Sequence, residues 1–124
     1  MDPLDRTLAA LADPARRRAV ELLQAGPRRP SELAEALGLP RPAVSRHLKV
    51  LREAGLVEAE ALDDDARGRQ ISLRPAPLEQ LRDWAARTEA LWAQQLDAFA
   101  RYAEAADAAA GPPDPAQAPP EAAP

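Results

Sequence analysis

The sequence predicts a mainly α-helical fold with one small β-hairpin, and three observations support this. Apolar residues recur at helical spacing along most of the chain. The pattern changes to alternation after Gly55. The length of 124 residues leaves room for one modest core. Because alanine supplies 30 residues and all four aromatic rings lie between Trp84 and Tyr102, we expect the core to be completed by another subunit.

Two short helices are predicted at the start of the chain. Asp2 and Pro3 form a typical cap and first residue of a helix. Asp13 and Pro14 repeat this signal, and the second helix is expected to end near Gln24. Apolar residues spaced by three and four positions give the first helix one apolar face: Leu4, Leu8 and Leu11.

The next two helices are short and are joined by a turn of three residues. The third is expected to begin between Pro30 and Glu32 and to end at Gly38, where glycine favours left-handed backbone. The fourth is expected to run from about Arg41 to Ala54. Such a pair, joined by a tight glycine-containing turn, forms a helix-turn-helix. The residues spaced to bury against each other are Leu33, Ala34, Leu37, Val44, Leu48 and Leu51.

A β-hairpin is predicted directly after the fourth helix. Its alternating segments are residues 56–62 and 68–73, with Ile71 and Leu73 on one face. Residues 63–67 are expected to form a longer loop between the strands. The elements follow one another in a specific order along the chain, with three helices and then a two-stranded wing. This order predicts a winged helix-turn-helix.

The last helix is predicted from Pro77 to about Ala110. At 1.5 Å per residue it would be roughly 50 Å long, which is more than a small core can cover. Its apolar stripe continues to Tyr102, so we expect a partner helix. One domain is therefore predicted over residues 1–110. Residues 111–124 contain six prolines and no large apolar residue, and we expect a disordered tail.

The composition excludes several kinds of site. There is no cysteine, which excludes disulfides, thiolate metal sites and cysteine nucleophiles. His47 is the one histidine. No nucleophile–base pair or phosphate-binding glycine loop is present, so we predict neither an enzyme nor a bound cofactor. No apolar run is long enough to span a membrane and no signal peptide is evident, so we expect a cytoplasmic protein.

The net charge of −4 is distributed unevenly. Residues 1–57 carry ten basic and seven acidic side chains, a net +3. The net charge is −2 over residues 58–74, −3 over 75–110 and −2 over 111–124. The basic charge therefore lies in the half of the chain that holds the helix-turn-helix, where a nucleic-acid partner would bind.

The exposed face of the fourth helix carries the main functional hypothesis. An α-helix fits the major groove of DNA, and residues near its N-terminus reach base edges. Arginine and lysine read guanine, and serine bonds to either base type. We therefore predict binding to double-stranded DNA through Arg41, Pro42, Ser45, Arg46 and Lys49. The alternative is a helical hairpin with an ordinary solvated charged face.

Further DNA contacts are predicted on either side of this helix. Arg28 and Arg29 precede the third helix and Ser31 lies at its start, within reach of phosphate. In the wing, Arg67 and Arg69 are expected to reach the backbone or the minor groove. The wing loop also holds three residues that phosphate would repel, or that instead pair with arginines of the same subunit: Asp63, Asp64 and Asp65.

A family resemblance rests on the end of the helix-turn-helix. The segment resembles the signature of the ArsR family of bacterial winged-helix regulators: Ser45-Arg46-His47-Leu48-Lys49-Val50-Leu51-Arg52-Glu53-Ala54-Gly55-Leu56-Val57. The resemblance extends to residues 8–18 and 68–70 and covers about residues 4–105. The last helix, with Trp92 and an aromatic-rich end, is similar to a metal-independent branch.

The resemblance implies a homodimer joined through the first and last helices. It also implies sequence-specific binding to an operator, which would be pseudo-palindromic, and repression, often of the regulator's own operon. We expect the aromatic residues to pack in the dimer rather than to form a ligand box. The expected interface residues are Leu4, Leu8, Trp84, Leu91, Trp92, Leu96, Phe99 and Tyr102.

Two departures from the family pattern limit what the resemblance implies. Metal-sensing members use cysteines on the third helix, or carboxylates and histidine on the last. The third helix here offers Ser31, Glu32 and Glu35, and the last has no histidine, so we predict no transition-metal site. The resemblance does not identify the effector. Pro40 replaces the serine that usually caps the recognition helix, at a cost of about 1 kcal/mol. The resemblance also favours a DNA contact by His47, although a half-buried histidine with a local hydrogen bond is the commoner arrangement.

A protein-interaction module is the alternative function. In that case the winged helix would be a scaffold, and the long aromatic helix would bind a different protein. The acidic net charge favours this alternative slightly. A steep salt dependence of DNA binding would distinguish the two, because neutralising phosphates releases counterions.

Overall fold

The structure is a computed structural model that describes the backbone of residues 1–62 and 65–110 and the side chains of residues 1–61 and 68–110. The chain divides after Trp84 into two compact units. The described part confirms the mainly helical fold with one antiparallel hairpin. Its elements are helices α1 (Pro3–Leu11), α2 (Pro14–Leu23), α3 (Pro30–Leu37) and α4 (Arg41–Glu53), strands β1 (Val57–Leu62) and β2 (Asp65–Leu73), and helix α5 (Ala76–Ala110).

The two N-terminal helices begin as predicted but are capped differently. Asp2 is at the N-cap position of α1, yet its side chain makes no capping hydrogen bond. Asp13 does cap α2, because its Oδ1 accepts from the backbone N–H groups of Ala15 at 2.8 Å and Arg16 at 3.4 Å. Thr7 is buried in α1, and its hydroxyl donates to the carbonyl of Pro3 at 3.1 Å.

The core lies where α2, α3, α4 and β1 meet. On α2, Val20 and Leu23 are buried, whereas Leu22 is only half-buried. Ala34 of α3 is buried, as its spacing predicts. The largest apolar side chains that are fully buried are Leu33, Val44, Leu51 and Leu56.

Two glycines end helices in the left-handed backbone conformation that their positions predict. Gly38 ends α3 with φ of 66°, and Leu39 donates back to the carbonyl of Ala34 at 3.1 Å. Gly55 follows α4 with φ of 75°, and Leu56 donates back to Leu51 at 2.9 Å. These bonds satisfy carbonyls that a helix end leaves without partners.

The hairpin is longer than the sequence pattern predicts. The second strand begins at Asp65 rather than at Gly68, so the prediction of a loop over residues 63–67 is wrong for its last three residues. Pairing is regular from Val57↔Leu73 to Ala61↔Arg69, and a register shift then brings Leu62 opposite Asp65. This register shift accommodates the extra residues of β2, so the two strands pair again nearer the tip of the hairpin. Asp63 and Asp64 lie outside the described residues.

A third segment pairs with the base of the hairpin. Arg28, in the loop between α2 and α3, donates its N–H to the carbonyl of Ile71 at 2.9 Å and accepts from the N–H of Ile71 at 2.8 Å. The sequence pattern did not indicate this bridge. It ties the start of the helix-turn-helix to the wing through two backbone hydrogen bonds.

Helix α5 begins one residue before the predicted start and continues to Ala110. Leu78, near its start, packs against the core. From Ala85 to Ala110 every side chain is exposed, including those of Phe99 and Tyr102 at more than two thirds of their area. The predicted tail, residues 111–124, lies outside the described residues. Within the described part, no helix combines the length and the apolar character that crossing a membrane requires.

Candidate nucleic-acid interface

Helix α4 presents one basic face to solvent and one apolar face to the core. Val44 and Leu51 are buried on the inner side. At about 100° per residue, the outward residues fall within an arc of roughly 140°. All of them are exposed: Arg41, Pro42, Ser45, Arg46 and Lys49, together with Arg52. The predicted reading face is therefore assembled on one helix, with its side chains directed away from the core.

The start of α4 is fixed by two prolines. Pro40 occupies the N-cap position without a side-chain capping bond, as the sequence predicts. Pro42 has no N–H to satisfy, and Val44 donates to the carbonyl of Pro40 at 3.1 Å. Between the two prolines, Arg41 is the first helical residue and is exposed.

The other predicted DNA contacts flank α4. They lie at the start of α3 and on β2, and the backbone bridge between Arg28 and Ile71 joins these two parts of the chain. Arg29 is exposed at the N-cap of α3, where its N–H donates to Glu32 Oε1 at 3.3 Å, and Ser31 is exposed in the first turn. Arg28 is half-buried. Arg69 is exposed on β2, whereas the side chain of Arg67 lies outside the described residues.

His47 lies apart from the reading face. It is about 160° round α4 from Lys49 by helical geometry, and it is half-buried. Its Nδ1 lies 3.4 Å from Nη1 of Arg16 on α2. A guanidinium can only donate, so Nδ1 is the acceptor in this contact. The structure thus shows the local hydrogen bond that the sequence favours, and the DNA contact of His47 stays a prediction.

Arg16 and Arg17 have a structural role at the end of α1. Arg16 Nε donates to the carbonyl of Ala10 at 2.6 Å, and Arg17 Nη1 donates to that of Leu11 at 2.7 Å. Both arginines therefore satisfy carbonyls at the end of α1 from the first turn of α2. The signal in the sequence is a run of arginines starting five residues after a helix end, which favours such capping over phosphate contact.

The charge of Asp13 is stabilised by the same cluster. Burial alone raises the pKa of Asp13, but the N–H groups of Ala15 and Arg16 and the nearby positive charge of Arg16 hold the pKa below its ordinary value of 3.8. His47 contributes in the same direction. Asp13, Arg16 and His47 thus connect the start of α2 to the inner flank of the recognition helix.

Among the residues that the structure describes, no three histidine, cysteine or carboxylate side chains come together in a way that would hold a metal ion.

Comparison with known proteins shows that the chain is similar to bacterial regulatory proteins. Residues 13–59 match the family described as bacterial regulatory protein, arsR family. The chain is 42% identical over 98 residues to HTH-type transcriptional regulator Rv2034 of Mycobacterium tuberculosis, covering 78% of this chain and 85% of that protein. It is 29% identical to transcriptional repressor SdpR of Bacillus subtilis, covering 65% and 87% respectively.

Solved structures agree with these matches. The chain resembles an ArsR-like transcriptional regulator from Rhodococcus sp. RHA1 with a TM-score of 0.71 and 29% identity, over 82% of this chain and 92% of that structure. The identity to Rv2034 extends over most of both chains, and the basic face of α4 occupies the matched region. The chain therefore belongs to the ArsR family of bacterial regulatory proteins and is a DNA-binding transcriptional regulator.

Proposed function

We propose that the chain is a dimeric repressor that binds a pseudo-palindromic operator and blocks transcription of its own or a neighbouring operon. The observation that supports this is the set of exposed side chains on one face of α4, opposite a buried apolar face. Several relatives are named as repressors, which favours repression over activation. Because the relatives are named as regulators, we assign the chain no enzymatic activity, and we place its action in the cytoplasm on nucleoid DNA.

The proposed contacts form two groups, those to base edges and those to phosphates. Arg41, Ser45, Arg46 and Lys49 would meet base edges in the major groove, where arginine pairs with guanine through two bonds. Pro42 would pack against the groove wall. The residues on the flanks, from Arg28, Arg29 and Ser31 to Arg67 and Arg69 of the wing, would contact phosphates and set the register.

The dimer is proposed from α1 and α5. Leu8 is 41% exposed although it lies on the apolar face of α1, and Leu4 is half-buried. On α5, six large side chains lie within an arc of about 140° and remain exposed in a single chain, which a partner helix would cover. These residues are Trp84, Leu91, Trp92, Leu96, Phe99 and Tyr102.

DNA binding is further proposed to be independent of transition metals. The sequence has no cysteine and one histidine, and that histidine hydrogen-bonds to Arg16. The affinity for the operator should therefore be the same with a metal chelator present as with added Zn²⁺ present. A gain or loss of affinity on adding Zn²⁺ would contradict this part of the proposal.

The test of the whole proposal is selection of bound duplexes from a random pool, followed by affinity measurements at two salt concentrations. We expect two inverted half-sites whose centres are about one helical turn apart, and an affinity that falls steeply with salt. Binding that is insensitive to salt, or no enrichment of any sequence, would instead favour a protein-interaction scaffold.

A further inference from the structure

A cavity of about 210 Å³ lies between the recognition helix and the base of the wing. Its walls come from α4, from β1 and β2, and from Pro30 at the start of α3. This volume corresponds to about seven water molecules at liquid density, so the cavity suits a small molecule rather than a nucleotide.

The rim of the cavity is strongly basic. Arg41, Lys49 and Arg52 of α4 line it from one side, and Arg69 of β2 lines it from the other. Among the side chains that the structure describes, none of these four cations forms an ion pair. The one carboxylate in the lining, that of Glu58, lies 3.9 Å from Arg74, which partly offsets its charge. The rim therefore has positive charge that an anionic group would neutralise.

The floor of the cavity is apolar. Val57 and Ile71 are buried members of the core, and Leu48 and Ala59 are half-buried beside them. A phosphate of the DNA backbone requires only the cations. An apolar floor beneath a basic rim additionally favours a ligand with a compact hydrocarbon part.

We propose that this cavity binds a small organic anion, in which a carboxylate or phosphate ester is attached to a compact apolar group such as a single aromatic ring. The charged group lies at the rim and the ring lies on the floor. Because Arg41 and Lys49 also belong to the proposed reading face, the bound anion and DNA exclude each other. The ligand would then release the operator by direct competition, a consequence that rests on the proposed function.

The first experiment measures ligand binding without DNA. Four probes are titrated into the ¹⁵N-labelled full chain: benzoate, phenyl phosphate, benzamide and inorganic phosphate. We expect saturable shifts at the amides of Ala59 and Ile71 with benzoate or phenyl phosphate. Binding of benzamide, which lacks the charge, and of inorganic phosphate, which lacks the ring, should be weaker by about tenfold or more.

One variant separates the cavity from the DNA contacts, and a second tests the basic rim. Ala59→Leu fills the floor without removing any proposed DNA contact, so it should weaken ligand binding about tenfold or more while operator affinity is retained. Arg52→Gln removes a rim cation and should also weaken ligand binding, whereas Arg82→Gln, on α5, serves as the charge-matched control. Thermal unfolding of each variant shows that it folds.

The proposal is overturned if neither ring-bearing anion binds, if benzamide or inorganic phosphate binds equally well, or if Ala59→Leu binds the ligand as the parent chain does. The ligand titration uses no DNA, so its result stands even if the repressor function fails. Conversely, salt-sensitive operator binding without any ligand binding would remove only the cavity proposal.

Discussion

The proposed recognition of DNA sequence by α4 is tested most directly by replacing Arg46. It is exposed on the outer face of α4 and forms no ion pair among the described side chains. Arg46→Ala should cost about 1–3 kcal/mol of operator binding and relax specificity at one base pair. Fluorescence anisotropy with the selected operator and with single-base variants measures both effects.

A charge-matched control completes this test. Arg82 carries the same charge on α5 and lies beside Asp83 at 3.2 Å. Arg82→Ala should leave both affinity and specificity nearly unchanged. Equal losses in the two variants would show that Arg46 acts only through net charge, and unchanged binding by Arg46→Ala would remove its reading role.

Asp13 predicts a pH dependence of stability. Its pKa is lower in the folded chain than its ordinary value of 3.8, so its contribution is complete above that value and is lost as pH falls through the folded pKa. Asp13→Asn keeps a capping acceptor but removes the charge. The variant should be less stable than the parent chain near pH 7, and this difference should shrink at about pH 3.

Urea unfolding at several pH values measures this difference. Asp5→Asn, in the exposed first turn of α1, gives the background response to losing one carboxylate. A stability difference at Asp13 that stays constant down to strongly acidic pH would contradict the linkage to its lowered pKa.

At the scale of single elements, the turn between α3 and α4 depends on one backbone angle. Gly38 has φ of 66°, and a Cβ built there would meet no atom within 4 Å. Gly38→Ala should therefore destabilise the fold by about 1 kcal/mol through backbone conformation alone. Gly38→Asn should cost less, since asparagine tolerates this conformation. Equal losses for the two variants in urea unfolding would point to a steric cause instead.

The same elements show how far sequence patterns reach. Capping signals and apolar spacing located all five described helices, because each helix stop is encoded locally by a glycine or a proline. The start of β2 and the Arg28–Ile71 bridge were missed, since pairing between distant backbone groups leaves no local signal. In the site, helical periodicity grouped Arg41, Ser45 and Lys49 correctly, but it could not show that Arg16 from another helix contacts His47.

At the scale of the whole molecule, assembly is the main prediction. Phe99 is 71% exposed in the middle of the apolar arc of α5. Phe99→Glu should convert the dimer to a monomer, because a carboxylate would have to be buried in the helix contact. The monomer should bind a half-site weakly and lose affinity for the full operator. Sedimentation and operator titration measure the two effects.

The control for this prediction lies on the opposite side of the same helix. Ala90 is exposed on that side by helical geometry, so Ala90→Glu adds the same charge outside the apolar arc. It should remain dimeric and bind the operator as the parent chain does. If both Phe99→Glu and Ala90→Glu are monomeric, the added charge alone disrupts assembly. If both remain dimeric, the interface lies elsewhere.

The bridge between Arg28 and Ile71 also bears on how such a regulator can change over evolutionary time. The bridge fixes the base of the hairpin to the helix-turn-helix through backbone groups, which are indifferent to side-chain identity. Substitutions beyond Arg69, toward the wing tip, can therefore accumulate without moving the recognition helix. Under the proposed function, changes at the wing would alter phosphate contacts while the base contacts proposed for α4 are kept.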